Sequence, residues 1–380
     1  MRDVVKRTGT WVLLSASVVL AAAPSKSQPN QHFQLVPRLV FSSTRDAPDN
    51  PDRLFASEIY LTNPDGTNPQ RLTYNSAADL FAELSPDGKK IVFESNRYHV
   101  GTGEPRNTSD LFLMDTDGES QVLLTRGSSA TWSPDGKYVA FHASASYYAS
   151  GGAVTGLPIK TDPGAATSDS DIFIANVDDL LSNASVPRNL TNSPDMIDDD
   201  ADWAPNGTKI AFTSHPVTDS PNDSTHTEIY AMNPDGTGLQ RLTHNDYEER
   251  AAAWSPDSTR IVFMCELGPV NPKTGVKFFE LCLMNADGSG LVQLTYNAAL
   301  NAAPSWSPDG QTIVFHRNPA PLELWVMALR DLTCDPSTGT CSCNNPALDN
   351  ATHACATPLT SSPGENVYPK WGMLRVKLPK

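Results

Sequence analysis

Apolar positions in this chain come in short runs broken by turn residues, and the same run recurs at regular intervals. Ile91-Val92-Phe93, Val139-Ala140-Phe141, Ile210-Ala211-Phe212, Ile261-Val262-Phe263 and Ile313-Val314-Phe315 are equivalent apolar segments. Each follows a turn motif: WSPDG at Trp132 and Trp306, WSPDS at Trp254, WAPNG at Trp203 and LSPDG at Leu84. Proline presets φ near −65° at the second turn position, Asp suits the third, and Gly accepts the left-handed conformation that starts the partner strand. The pattern predicts a β-hairpin in every unit.

A third strand follows, written as an acid and two apolar residues: Glu58-Ile59-Tyr60, Asp110-Leu111-Phe112, Asp171-Ile172-Phe173, Glu228-Ile229-Tyr230, Glu280-Leu281-Cys282 and Glu323-Leu324-Trp325. A second turn, such as Asn63-Pro64-Asp65-Gly66, leads to a fourth strand ending in Leu-Thr at Leu72, Leu124, Leu190, Leu242, Leu294 and Leu359. Four strands per unit and six units predict an all-β fold, a six-bladed β-propeller of four-stranded antiparallel blades. No helix is needed. The first unit opens at Leu39-Val40-Phe41 without a tryptophan strand before it, and the chain ends in Tyr368-Pro369-Lys370-Trp371-Gly372. The last strand is therefore expected to pair into the first blade and close the ring, removing an open sheet edge. The propeller is placed at 39–374: blade one 39–73 plus 366–374, then 79–125, 128–191, 198–243, 249–295 and 301–360, with 24–38 as linker and 375–380 as tail.

These repeats resemble the TolB-like propellers, whose unit reads approximately LT…P-x-WSPDG-x-x-IAF…IY-x-M-x-x-DG. The resemblance covers Leu39 to Trp371. It implies the propeller fold and a binding role, and no nucleophile elbow of the G-x-S-x-G kind accompanies it. TolB carries an α/β domain before its propeller; only ten to fifteen residues separate leader and first blade here, so the propeller is expected without that domain.

Arg2, Lys6 and Arg7 precede an apolar run from Trp11 to Ala23 that is too short to span a bilayer, which reads as a secretory leader over 1–23, with cleavage as late as about residue 28. Its removal lowers the net charge from −15 to −17, because three basic residues and Asp3 leave together. That charge is the wrong sign for nucleic acid or acidic membranes. A periplasmic or secreted location agrees with six cysteines lying between Cys265 and Cys355. Cys265 and Cys282 fall on neighbouring strands of blade five and are expected to pair. Cys334, Cys341, Cys343 and Cys355 lie in an insertion, 331–356, in blade six. They lack a C-x-x-C knuckle, so disulfides are expected over zinc, either 334–341 with 343–355 or 334–343 with 341–355.

The tight turns share one face of the ring, whereas long loops (98–109, 144–170, 216–227 and 266–279) share the other, and binding is expected at the channel mouth on the loop-rich face. Five residues before each innermost Trp or Leu stand Asp79, Gly127, Asp198, Glu249, Asn301 and Asn366, a polar ring that suits a cation or a partner's hydrogen-bond donors. Asp198, Asp199 and Asp200 are the calcium candidates, calcium being the one cofactor suggested. His244, Tyr247 and Arg250 are the constellation nearest to catalytic machinery. His142 and His316 follow the second-strand Phe at an outer blade position and, with His215, form a second metal candidate. The leading expectation is a noncatalytic exported scaffold for an envelope or extracellular protein, or a glycan. The alternative is a carbohydrate-active lyase or hydrolase using the same face.

Overall fold

The computed structural model describes residues 33–46, 56–99, 109–144, 170–217, 227–267, 278–297, 299–318, 321–344, 355–361 and 364–378. The expected leader and most of each long loop lie outside them. Blade one contains Phe33–Ser43 (β1), Glu58–Thr62 (β2) and Gln70–Arg71 (β3); blade two Asp79–Leu84 (β4), Lys90–Ser95 (β5), Asp110–Asp115 (β6) and Val122–Arg126 (β7). Blade three contains Ser128–Trp132 (β8), Tyr138–Ser144 (β9), Ser170–Asn176 (β10) and Arg188–Asn189 (β11); blade four Met196–Trp203 (β12), Ile210–Pro216 (β13), Glu228–Met232 (β14) and Gln240–Arg241 (β15). Blade five contains Glu249–Trp254 (β16), Arg260–Cys265 (β17), Glu280–Asn285 (β18) and Val292–Gln293 (β19). Asn301–Trp306 (β20), Thr312–Arg317 (β21), Glu323–Ala328 (β22), and, after the insertion strands Leu332–Asp335 (β23) and Thr340–Cys343 (β24), Ala356–Pro358 (β25) complete blade six.

The final strand, Asn366–Lys377 (β26), pairs antiparallel with β1 and supplies the innermost strand of blade one. Pairing runs from Phe33 opposite Lys377 to Ser43 opposite Asn366, so residues 33–38 and 375–377 are strand too. Each innermost strand (β26, β4, β8, β12, β16, β20) packs against the next, and the ring is closed.

The repeat motifs have atomic reasons. Ser85 Oγ donates to Asp87 Oδ1 at 2.8 Å and accepts from Lys90 N at 3.0 Å, while Gly88 N donates to the Ser85 carbonyl at 2.8 Å. Gly88 has φ +67°, and a Cβ there would sit 2.4 Å from the Met373 carbonyl oxygen, so the closing strand itself requires glycine. The Leu-Thr ends are brackets. The hydroxyls of Thr73, Thr191, Thr243, Thr295 and Thr360 accept the third-strand amides of Ile59, Ile172, Ile229, Leu281 and Leu324 at 2.8–3.1 Å. Phe41, Phe93, Phe141, Phe212, Phe263 and Phe315 are all buried, one per blade, and burial of a Phe side chain is worth about 1.5–3 kcal/mol. In four blades this ring stacks on a third-strand aromatic at 5.6–6.0 Å. In blade five Cys282 stands opposite Phe263, and the disulfide Cys265–Cys282 replaces the ring pair.

Two features differ from expectation or extend it. A six-residue helix, Val177–Ser182 (α1), replaces a tight turn in blade three, because Asn176 caps it by accepting Asp179 N at 3.1 Å and Val177 and Leu180 are buried. The insertion forms the hairpin β23–β24, closed by Cys334–Cys341 and Cys343–Cys355. Although it belongs to blade six, its β24 runs parallel to β19 and covers the outer edge of blade five. Tyr296 ties it down, its hydroxyl accepting Cys341 N at 3.2 Å.

Candidate functional site

All six innermost strands break register at the same point. Two residues face one across the pair at Phe81-Ala82, Ser129-Ala130, Asp200-Ala201, Ala251-Ala252, Ala303-Pro304 and Tyr368-Pro369. The first residue of each bulge has φ between +49° and +53°, a left-handed conformation that non-glycine residues rarely adopt. The bulge turns the next residues onto the propeller axis.

They line an axial cavity of about 100 Å³. Its charged lining residues are Glu83, Asp200, Asp202 and Lys370, and the wall of blades five and six is Ala251, Ala252, Ala253, Ala303 and Pro304. Lys370 Nζ lies 2.6 Å from Asp202 Oδ1 and 3.2 Å from Glu83 Oε2, joining blades one, four and two across the axis. Trp254 N donates to Asp202 Oδ2 at 2.8 Å and Trp132 N to Glu83 Oε1 at 3.1 Å, so both acids are held by neighbouring blades. Burial alone would lower the Lys370 ammonium, but the Asp202 and Glu83 charges outweigh it and hold it above its ordinary range.

Nearer the loop-rich face stand Asp200, Ser129 and Tyr368, backed by Glu94 and His142. Burial pushes the Asp200 carboxyl up against the opposing pull of His142, and it pushes Glu94 up although Ser128 and Ser109 donate to it. The Tyr368 hydroxyl is raised to about 12 by burial and by the Glu94 and Asp200 charges. Phe81 packs against Tyr368 with ring centroids 4.0 Å apart and the planes tilted by 34°.

His142 and His316 are not outer residues. Their strand flanks the innermost one, and each ring reaches the bulge of the next blade: Asp200 N and Tyr368 N donate to Nδ1 of His142 and His316, both at 3.3 Å. Glu94, at the same register, accepts Ser129 N at 3.4 Å. These side chains cap bulge amides. Burial lowers His316 to about 4, which keeps it neutral and able to accept. His215 bonds its own neighbour, the Pro216 carbonyl, at 3.2 Å, away from both.

The sequence-derived polar ring lies two to four residues before the cavity lining. Asp79, Asp198, Glu249, Asn301 and Asn366 are 0–2% exposed. Asn75 Nδ2 donates to Asp79 at 2.7 Å and Arg97 Nη2 contacts both its oxygens at 3.2 Å. Arg317 and Arg45 donate to Asn301 and Asn366 at 2.8 and 2.9 Å. Glu249 accepts from Asn245 at 2.6 Å and is pushed up to about 8 by burial first and the Glu228 carboxylate next. Gly127 needs its φ of +148° beside Phe141. These residues brace blade junctions. The three acids of the calcium tract do not converge: Asp198 is buried within its blade, Asp199 accepts from Ser170 at 2.7 Å, and Asp200 faces the axis. Among the described residues no group of three or more His, Cys, Asp or Glu is placed to hold a metal. His244 and Tyr247 are exposed on the loop before β16, and Arg250 pairs with Glu248 at 3.4 Å.

No family model matches the chain. It is 29% identical over 203 residues to an uncharacterized protein of Agrobacterium fabrum (strain C58), Atu1656, a match covering 48% of this chain. The chain spans less than two thirds of the curated relatives it matches: 63% of that protein and 22% of an uncharacterized peptidase of Bacillus subtilis (strain 168). TolB of Acinetobacter baumannii superposes with a TM-score of 0.57 at 17% identity, over 88% of this chain and 66% of that one. A candidate TolB of Agrobacterium tumefaciens superposes at 0.53 and 15% identity, over 91% of this chain and all of that one. The chain has the TolB propeller fold. At these identities the likeness concerns the fold, and the TolB-type blades supply the frame in which the axial residues are held.

Proposed function

We propose that this TolB-type propeller is an exported, noncatalytic binding scaffold that receives a basic or hydrogen-bond-donating group of an envelope or extracellular protein in its axial cavity. The observation that carries the reading is the charge of the cavity wall. Glu83, Asp200 and Asp202 stand there against Lys370 alone, and all four side chains come from strands whose bulges aim them inward. Size supports it as well. A cavity of about 100 Å³ admits one side chain or a chain terminus, whereas sites for larger ligands run to about 300–1,000 Å³. The export reading is supported by the leader-like N-terminal sequence and by three disulfides, which persist in oxidising compartments. No helix among the described residues is long and apolar enough to cross a membrane.

The test against the enzymatic alternative is a polysaccharide panel assayed for new unsaturated or reducing ends. The scaffold reading expects none. Turnover that disappears in both Tyr247→Phe and Arg250→Ala would replace it with a lyase or hydrolase.

A further inference from the structure

Two blade junctions are built from the same parts, spaced identically along the chain: Glu58, Arg71, Thr73, Asn75 and Asp79 in one, Glu228, Arg241, Thr243, Asn245 and Glu249 in the other. Their bonds match. Arg71 and Arg241 each pair with the strand-three Glu and donate Nε to the Thr carbonyl at 2.7 Å. Asn75 N and Asn245 N donate to that Glu at 2.8 and 3.2 Å, and their side-chain amides donate to Asp79 and Glu249 at 2.7 and 2.6 Å. Glu58 and Glu228 each keep a buried Oε2 without a donor.

Around the buried acids the difference is one cation, although Arg71 also pairs with the half-exposed Asp46 at 3.0 Å. Arg97 lays its guanidinium on both oxygens of Asp79, but the equivalent position in the other junction is Leu267. Glu249 is left with the neutral donors Asn245 and Thr243 and no cation, and its buried Oε2, which makes no hydrogen bond of good geometry, is within reach of the Glu228 carboxylate. Both residues are 1% exposed. When both are ionised, these two buried carboxylates share one arginine, Arg241, and their second negative charge has no cationic side chain against it.

We propose that a hard metal cation of the sodium or calcium class binds between Glu228 and Glu249 and takes the part that Arg97 plays at Asp79. Carboxylate oxygens are the donors such ions prefer. The site is separate from the axial cavity and braces the junction of blades four and five.

The experiment is thermal unfolding of the whole chain in chelator-treated buffer. NaCl, KCl, CaCl2 or MgCl2 is added in separate arms, each matched in ionic strength by choline chloride, with bound metal counted by equilibrium dialysis. The wild type is expected to show a saturable rise of several degrees in Tm with one of these ions, above the choline control, and one ion bound per chain. Glu249→Gln, which removes the unbalanced charge, is expected to lose both. Leu267→Arg, which restores the missing guanidinium, is expected to lose the ion dependence while melting higher than wild type in the ion-free arm. The Asp198→Asn/Asp200→Asn double variant is expected to keep the response. No ion-specific rise in the wild type, which would leave a shared proton between the two carboxyls, overturns the proposal. A rise that persists unchanged in Glu249→Gln or Leu267→Arg overturns it equally.

Discussion

The blade junctions and the propeller axis are both rich in carboxylates, yet they use them oppositely. At the junctions an acid such as Asp79 is fully enclosed and meets Asn75 and Arg97 of its own surroundings. On the axis Asp202, Glu83 and Lys370 meet one another across three blades and also border a cavity. The difference teaches that buried charge here finds its partner locally at the junctions, whereas on the axis it is shared between blades and borders a cavity, which is where the proposed recognition would occur. A bulge of two residues separates one use from the other on the same strand.

The largest effect should come from breaking a junction. Arg97→Ala leaves Asp79 enclosed without its cation and should cost about 3–5 kcal/mol in urea unfolding at neutral pH. Arg317→Ala, whose partner Asn301 is neutral, should cost visibly less. Next, Lys370→Met leaves Glu83 and Asp202 facing each other and should cost about 2–3 kcal/mol. The triple variant Glu83→Gln/Asp202→Asn/Lys370→Met should recover most of that loss, since the axial charges are dispensable to the fold when removed together.

His316 sharpens the comparison by pH. Its folded pKa of about 4 lies below the ordinary value near 6.5, so the folded state binds fewer protons between these limits. Stability from this group is therefore full above pH 6.5 and falls as pH drops through about 4, at up to about 1.4 kcal/mol per pH unit. His316→Asn, which keeps an acceptor for Tyr368 N, should flatten that part of the pH profile of unfolding free energy. The smallest effect belongs to the bulge backbone. Ala303→Gly relieves a left-handed alanine worth about 1–2 kcal/mol but adds the entropy of glycine, about 0.5–1 kcal/mol. A net stabilisation of at most about 1.5 kcal/mol in urea unfolding is expected.

The fold was legible because each motif is a local rule repeated: Ser85, Asp87 and Gly88 make the turn by their own bonds, and Thr73 or Thr243 makes the third-strand bracket. The Cys265–Cys282 pair followed from strand adjacency in the same way. The axis was less legible, because counting five residues back from each Trp assumes an unbroken strand, and the bulge inserts a residue. The axial acids Glu83 and Asp202 stand one place before Leu84 and Trp203, as Lys370 does before Trp371. A charge next to an apolar turn anchor was the available signal. That His142, His316 and Glu94 cap the next blade's bulge depends on contacts between units, which no repeat spells out.

The central claim, that recognition occurs on the axis and not at the junctions or the outer loops, is tested most directly by quantitative capture from the host's envelope. The wild type, the charge-neutral axial triple variant and the surface variant Tyr247→Ala would be compared at equal melting temperature. The account expects a defined partner captured by wild type and Tyr247→Ala and lost at least tenfold in the triple variant. Undiminished capture by the triple variant, with loss in Tyr247→Ala, would contradict it.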